Sequence, residues 1–293
     1  MGTAATVDTY PGTGFDSQPS FIPPDVIIPT LDDVPDGPNT LMAKMPGHWT
    51  TADLQYLDAN NMHWDFFINT NNACGDVTAA SPDMGCIAAI QDILTLHNPG
   101  NHTVHHWHLG TATPMGCTDM SCMGCGDAAC TDSEITGVET AIDALSNHDR
   151  PHLTRFRAPY GEPYQAGTFV QWVQPEVAKY AVSVGWNLDS NDSNFDNGTI
   201  CTPAPCPTGQ DIANTVIGLI KTPGNGQAYG IVLMHGIFQW THDAIQILFD
   251  PTNGYLAKNG FRVGTVEDAI CWKYGMHSWD IVHLKTQQAR SPN

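Results

Sequence analysis

An α/β fold, a distorted (β/α) barrel of about seven strand–helix units, is what this sequence predicts, and three observations predict it. Strand-like and helix-like segments alternate from about residue 25 almost to the end of the chain. The 293 residues are enough for one large barrel with a sizeable core, or for two small domains. The polar residues that stand out fall directly after apolar strand-like runs, where a parallel barrel gathers its functional groups.

The elements follow in order. Residues 1–24 are rich in Gly, Pro, Ser and Thr without periodicity and predict an extended arm or linker, with one folded domain over 25–293. Val26–Leu31 is an apolar strand, Thr50–Asn60 a helix and Trp64–Asn69 a second strand. Ile87, Ile90 and Leu94 recur at helical spacing within Cys86–Leu96. His102–Trp107 reads as a strand end and its loop. Thr131 and Glu134 have capping-box spacing, ahead of a helical face of Ile135, Val138, Ile142 and Leu145. Thr154–Arg157 is a short strand, Pro175 opens a helix over Val177–Val184, and Trp186–Leu188 is a strand. Ile212–Ile220 is a helix closed by Pro223 and Gly224. Tyr229–Met234 is a strand, Thr241–Phe249 a helix and Phe261–Val266 the last strand.

Composition narrows the function. Hydrophobic residues make up 41% of the chain and charged ones 14%, a globular profile rather than a disordered one. The formal charge of −19 repels phosphate backbones and anionic headgroups, which argues against nucleic acid or a membrane surface as partner. No apolar run approaches the ~20 residues of a membrane span. The nine cysteines cluster in Gly/Pro/Thr-rich segments and suit an oxidising compartment, so the protein is expected to be secreted, extracellular or periplasmic. No leader is visible, and the polar start after Met1-Gly2 fits a chain that begins past a removed one. Cys74 with Cys86 and Cys201 with Cys206 are the simplest disulfides, with Cys271 left free. Within the Cys-rich insertion 111–133, Cys117, Cys122, Cys125 and Cys130 would form disulfides, with structural zinc as the alternative.

Five segments carry chemistry. Asp32-Asp33 ends an apolar strand, and two adjacent carboxylates repel unless a cation or an arginine lies near; alone, the pair reads as a turn or a helix cap. His102 and His106 are four apart, so a helical turn would put both on one face, with His105 and His108 beside them. Two imidazoles and one carboxylate make a metal set with open positions. Zinc is the default ion, and cobalt, nickel, manganese or iron would also fit. Arg157-Ala158-Pro159-Tyr160-Gly161 is a tight turn whose arginine can hold a carboxylate ionised and whose backbone N–H can face an oxyanion. Asp189 and Asp192 follow one strand and Leu233-Met234-His235 ends another, so a carboxylate-supported imidazole could act as general acid.

In this order the segments resemble the polysaccharide deacetylases of carbohydrate esterase family 4, whose motifs read T-F-D-D, H-[ST]-x-x-H, R-x-P-Y-G, D-x-x-D-W and L-x-H. The matching residues are Thr30 to Asp33, His102 to His106, Arg157 to Gly161, Asp189 to Asp192 and Leu233 to His235, and the likeness spans 26 to about 270. The resemblance implies metal-dependent hydrolysis of acetyl groups from an acetylated poly- or oligosaccharide by a monomer. N-acetylglucosamine glycans are the expected substrate; acetylated xylan and a binding protein with a vestigial site are the alternatives. Position by position it implies Asp32 as general base, Asp33, His102 and His106 as metal ligands, and Arg157 as the partner of Asp32. It implies the Tyr160 N–H at the oxyanion and His235 as general acid tuned by Asp189. Leu233 would line the acetyl-methyl pocket, with Pro159 and Trp240 as further substrate contacts. Trp107, Trp186 and Phe238 could add stacking surfaces, although Trp186 and Phe238 read equally well as core. Three positions depart from the motifs: Leu31 for Phe, Val34 for Gly, and Ser193 for the Trp that walls the groove.

Overall fold

The computed structural model describes residues 21–37, 49–72, 74–110, 123–146, 152–162, 172–193, 206–221 and 229–289. In chain order the elements are β1 (Val26–Val34), α1 (Trp49–Ala59), β2 (Asp65–Ile68), β3 (Asn71–Asn72), β4 (Gly75–Asp76), α2 (Met84–Leu96), β5 (Asn98–Asn101), α3 (Ala128–Leu145), β6 (Arg155–Phe156), α4 (Val173–Val177), β7 (Val182–Ser183), β8 (Leu188–Asp189), α5 (Gly209–Lys221), β9 (Gly230–His235), α6 (Gln239–Phe249), α7 (Tyr255–Lys258), β10 (Arg262–Val263), α8 (Val266–Tyr274) and α9 (Ser278–Ala289).

The main sheet is parallel, in the order β7-β6-β5-β2-β1-β9-β8, with β10 paired to the start of β1. Every residue of β1 is buried, which is why it reads as an apolar run rather than an alternation. Ile27 and Leu31 face the larger core, shared with α1, α2, α5 and α6, whereas Val26 and Ile28 face a second core that includes Val182, Ile231 and α8. The two edge strands β7 and β8 are consecutive in sequence. The five steps from Ser183 to Leu188 reach at most about 18 Å, so the sheet must curl until its edges nearly meet. That is the distorted barrel. The Arg157 guanidinium donates to Val184 O and Gly185 O at 3.2 Å in this seam, satisfying carbonyls that no ladder pairs.

Several expectations need correction. Residues 21–24, assigned to the arm, belong to the folded part, because Ile22 is buried in the second core and Phe21 packs beside it; residues 1–20 lie outside the described residues. The helix placed at Val177–Val184 is instead the five-residue α4, and Val182–Ser183 is a strand; β-branched Val182 and Val184 pack toward the second core. Thr131 and Glu134 lie inside α3, whose cap is Asp127. Glu134 turns back to accept from His105 N–H at 2.9 Å and His105 Nδ1–H at 2.6 Å. Beyond the last strand lie two helices that the segment reading lacks, α8 and α9. Thr265 and Asp268 form a reciprocal capping box at the start of α8, and Gly275 ends it at φ 68°.

Cys74 pairs with Cys86, and Cys271 is a free thiol. Cys125 pairs with Cys130, which removes Cys125 from any zinc set with Cys122. Cys206 is disulfide-bonded; Cys117, Cys122, Cys201, Pro223, Gly224 and most of the insertion lie outside the described residues.

Candidate active site

Regular strands send successive side chains to opposite faces, yet Asp32 and Asp33 both line one cavity. The register between β1 and β2 shifts between Leu31 and Val34, and Asp33 adopts φ 62°. This bulge brings the two neighbours to the same side. On the other flank, β1 and β9 pair in unbroken register from Ile27↔Gly230 to Asp32↔His235. The register alone therefore sets a carboxylate beside an imidazole. Gly236 follows because the chain passes tightly there: a Cβ would stand 2.5 Å from Val34 Cγ1.

The cavity has a volume of about 320 Å³, and its lining includes Asp32, Asp33, His102, His106, Tyr160, Leu233 and His235. These come from the ends of β1, β5, β6 and β9, where the parallel sheet opens. Apart from Asn61, the described non-glycine residues with positive φ are Asp33, Thr103, His106, Tyr160 and Asn191, all at this end. Backbone strain so concentrated is a reason to look for function at this end of the sheet.

His102 and His106 meet without a helical turn, contrary to the expectation from their spacing. Thr103 at φ 70° and His106 at φ 60° bend a loop that aims both Nε2 atoms at Asp33 Oδ1, at 3.6 and 3.2 Å. Asn69 holds the loop by donating to the carbonyls of His102 and Thr103. His102 Nδ1–H donates to Arg157 O at 2.8 Å, so its Nε2 carries the lone pair. Burial pushes His102 down to about 4 and His106 to about 3, so both rings are neutral at physiological pH. Asp33 Oδ1 is buried and makes no hydrogen bond. An orphaned carboxylate oxygen facing the Nε2 atoms of two neutral imidazoles fits a divalent cation, and the three residues form a group able to hold one. His105 and His108 turn away to Glu134 and Glu162.

Asp32 Oδ1 accepts from Arg157 Nη1 at 2.7 Å, and the same nitrogen donates to Thr30 Oγ1 at 2.6 Å. Arg157 is buried and lies over the Phe67 ring, 4.2 Å from its centroid. Thr30 was matched in the first motif but given no role of its own; its place there was the available signal. Tyr160 sits at φ 57° within a turn started by Pro159, and His108 stacks on its ring at 3.9 Å.

The partner of His235 is Asp192, not Asp189. Asp192 Oδ1 accepts from His235 Nδ1–H at 2.7 Å, and Oδ2 accepts from His235 N–H at 2.8 Å and Thr241 Oγ–H at 2.6 Å. Asn191 at φ 56° swings the second aspartate of the motif under β9. Asp189 stays on the cavity wall, where its carboxylate accepts from Trp186 Nε1 at 3.2 Å and Asn191 N–H at 2.8 Å. Burial opposes charge on His235, but Asp192, with Asp33 and Asp32 beyond it, outweighs burial and pushes His235 up to about 10. Burial would raise Asp192, yet His235 and Thr241 hold it below the usual carboxylate range.

Two expected substrate contacts move. Trp240 is buried in the larger core, and its indole N–H donates to Asp192 O at 3.0 Å, because the start of α6 turns it inward. Pro159 is buried, and its neighbours Ala158 and Tyr160 line the cavity instead. Leu233, Trp186 and Phe238 do line it, as does Ser193.

The polysaccharide deacetylase family profile matches residues 22–171. No curated protein matches the sequence. Among solved structures, the chitin deacetylase of the fungal pathogen Colletotrichum lindemuthianum is 20% identical over 84% of this chain and 87% of its own, with a TM-score of 0.56. The peptidoglycan deacetylase PdaC of Bacillus subtilis is 19% identical over 91% of this chain and 99% of its own, with a TM-score of 0.54. A family 4 acetyl xylan esterase of Clostridium thermocellum, solved with a cobalt ion, is 20% identical over 86% of this chain and 93% of its own, with a TM-score of 0.53. At these identities the likeness is one of fold.

Proposed function

Because the chain belongs to the polysaccharide deacetylase family, we propose that it removes acetyl groups from N-acetylglucosamine-containing glycans, chitin oligomers or peptidoglycan, releasing acetate. One observation carries the reading. Asp32, Asp33, His102, His106 and His235, drawn from three different strand ends, converge on one cavity with their partners already in place.

Asp33, His102 and His106 would hold a divalent ion, zinc by default. Such an ion polarises the acetyl carbonyl and acidifies water. Asp32, oriented by its hydrogen bond from Arg157, takes the proton of the attacking water. The Tyr160 N–H, at the mouth of its strained turn, donates to the oxyanion. His235 holds a proton under the influence of Asp192 and gives it to the leaving amine, so the C–N bond breaks to amine and acetate. Leu233 and Trp186 offer an apolar wall for the acetyl methyl. Two disulfides among the described residues suit a secreted protein, and no described helix is long and apolar enough to cross a membrane.

The test is acetate release from chitin oligomers, peptidoglycan fragments and acetylated xylan, with chelation and zinc re-addition. Zinc-restored release from the first two substrates is expected. Release from acetylated xylan alone would assign O-acetyl chemistry instead, and silence on all three would overturn the catalytic reading.

A further inference from the structure

Away from the cavity, at the junction of α8 and α9, a glutamate, a cysteine and a histidine meet. Glu267 and Cys271 are four residues apart in α8 and so share a face. Gly275, left-handed at φ 68°, closes the helix and reverses the chain, and its N–H donates to Cys271 O at 2.8 Å. Two residues on, His277 returns to that face. The three ligand atoms all lie within 4.8 Å of one another.

We propose that Glu267, Cys271 and His277 bind a second, structural divalent cation of the zinc class, which pins the start of α9 to α8. His277 Nδ1 lies 3.2 Å from Cys271 Sγ and 3.2 Å from Glu267 Oε1. Both contacts converge on one ring nitrogen, which at best divides a single proton between them in a three-centre hydrogen bond. Tetrahedral zinc, at its usual bond lengths, separates such S–N and N–O pairs by about 3.6 and 3.4 Å, so small side-chain adjustments admit the ion. The glutamate is already oriented: Ser278 N–H donates to Oε1 and Ser278 Oγ–H to Oε2, both at 2.7 Å. Ser278 is buried against Thr154 Oγ1 at 2.6 Å, which ties this outer support to the residue immediately before β6. One thiolate, one imidazole and one carboxylate select zinc or cobalt over magnesium or calcium, with water completing the shell.

Burial, with Glu267, Asp268 and Asp280 nearby, holds the Cys271 thiol up, so the metal-free thiol keeps its proton at neutral pH. Uptake of the ion breaks the S–H bond, forms the metal–sulfur bond and releases that proton to solvent.

The test is a cobalt(II) titration of the chelator-stripped, non-reduced protein, followed by absorbance and metal analysis. Two equivalents per chain are expected, one of them giving the near-ultraviolet sulfur-to-cobalt charge-transfer band. Cys271→Ser abolishes the band and removes one equivalent. So does His277→Ala, whose side chain is 68% exposed and whose loss the fold tolerates. The double variant His102→Ala, His106→Ala keeps the band. No band in the parent protein, or a band that survives Cys271→Ser, would overturn the proposal.

Discussion

The cavity holds histidines of opposite character within one small space. On one wall, His102 donates its Nδ1–H to a backbone carbonyl, and burial keeps it neutral. On the other, His235 donates its Nδ1–H to the Asp192 carboxylate and is pushed up to about 10. His102 is buried and the His235 side chain is only 13% exposed, so burial alone does not explain the difference. The charge of the atom behind Nδ1 does. A neutral acceptor leaves a lone pair facing the cavity, which suits a metal ligand; an anionic acceptor leaves a proton there, which suits an acid.

The largest effect that would break this contrast comes from the metal wall. His102→Ala should lose bound metal and lower kcat/KM for acetate release by about 10³-fold, since several kcal/mol of charge stabilisation go with the ion. Metal analysis beside the assay checks it.

Asp192→Asn should come next, with part of the ~10²–10⁴-fold that general acid catalysis contributes. Its signature is a pH shift. His235 acts protonated, so activity falls as pH rises through its pKa. Removing the anion that raises this pKa moves the alkaline limb of kcat/KM to lower pH.

Trp240→Phe tests the support behind Asp192. It deletes one buried hydrogen bond, a cost of about 1 kcal/mol, and should lower the melting temperature by about 2–4 °C while metal content stays unchanged. Smallest is Ser193→Trp, which adds a ring at the cavity wall and should change KM several-fold at constant kcat in a comparison of chitin oligomers of different length.

How much of this could be read from the sequence follows from which interactions are local. The β1 run, the α1, α2, α5 and α6 stripes and the order of the strand ends are legible because burial writes itself as apolar periodicity. The residues that meet in the cavity were legible because each sits at or just after a strand end in a fixed motif. Asp192 was not separable from Asp189 by spacing, since the choice depends on Asn191 taking a left-handed conformation. The loop carrying His102 and His106 looked like a helical turn for the same reason, because positive φ at Thr103 and His106 has no compositional sign. Trp240 looked like a groove residue because its indole partner, the Asp192 carbonyl, lies 48 residues away. α4 shrank because β-branched Val182 and Val184 found places in the barrel core. Glu267, Cys271 and His277 carry no motif at all; a helix face and a left-handed glycine bring them together.

Metal content and acetate release measured together in His235→Asn test the central claim most directly. The account predicts a full complement of metal at Asp33, His102 and His106 with acetate release lowered by about 10²–10⁴-fold. Activity retained at the parent level, or metal lost along with activity, would contradict the division of the cavity into a ligand wall and an acid wall.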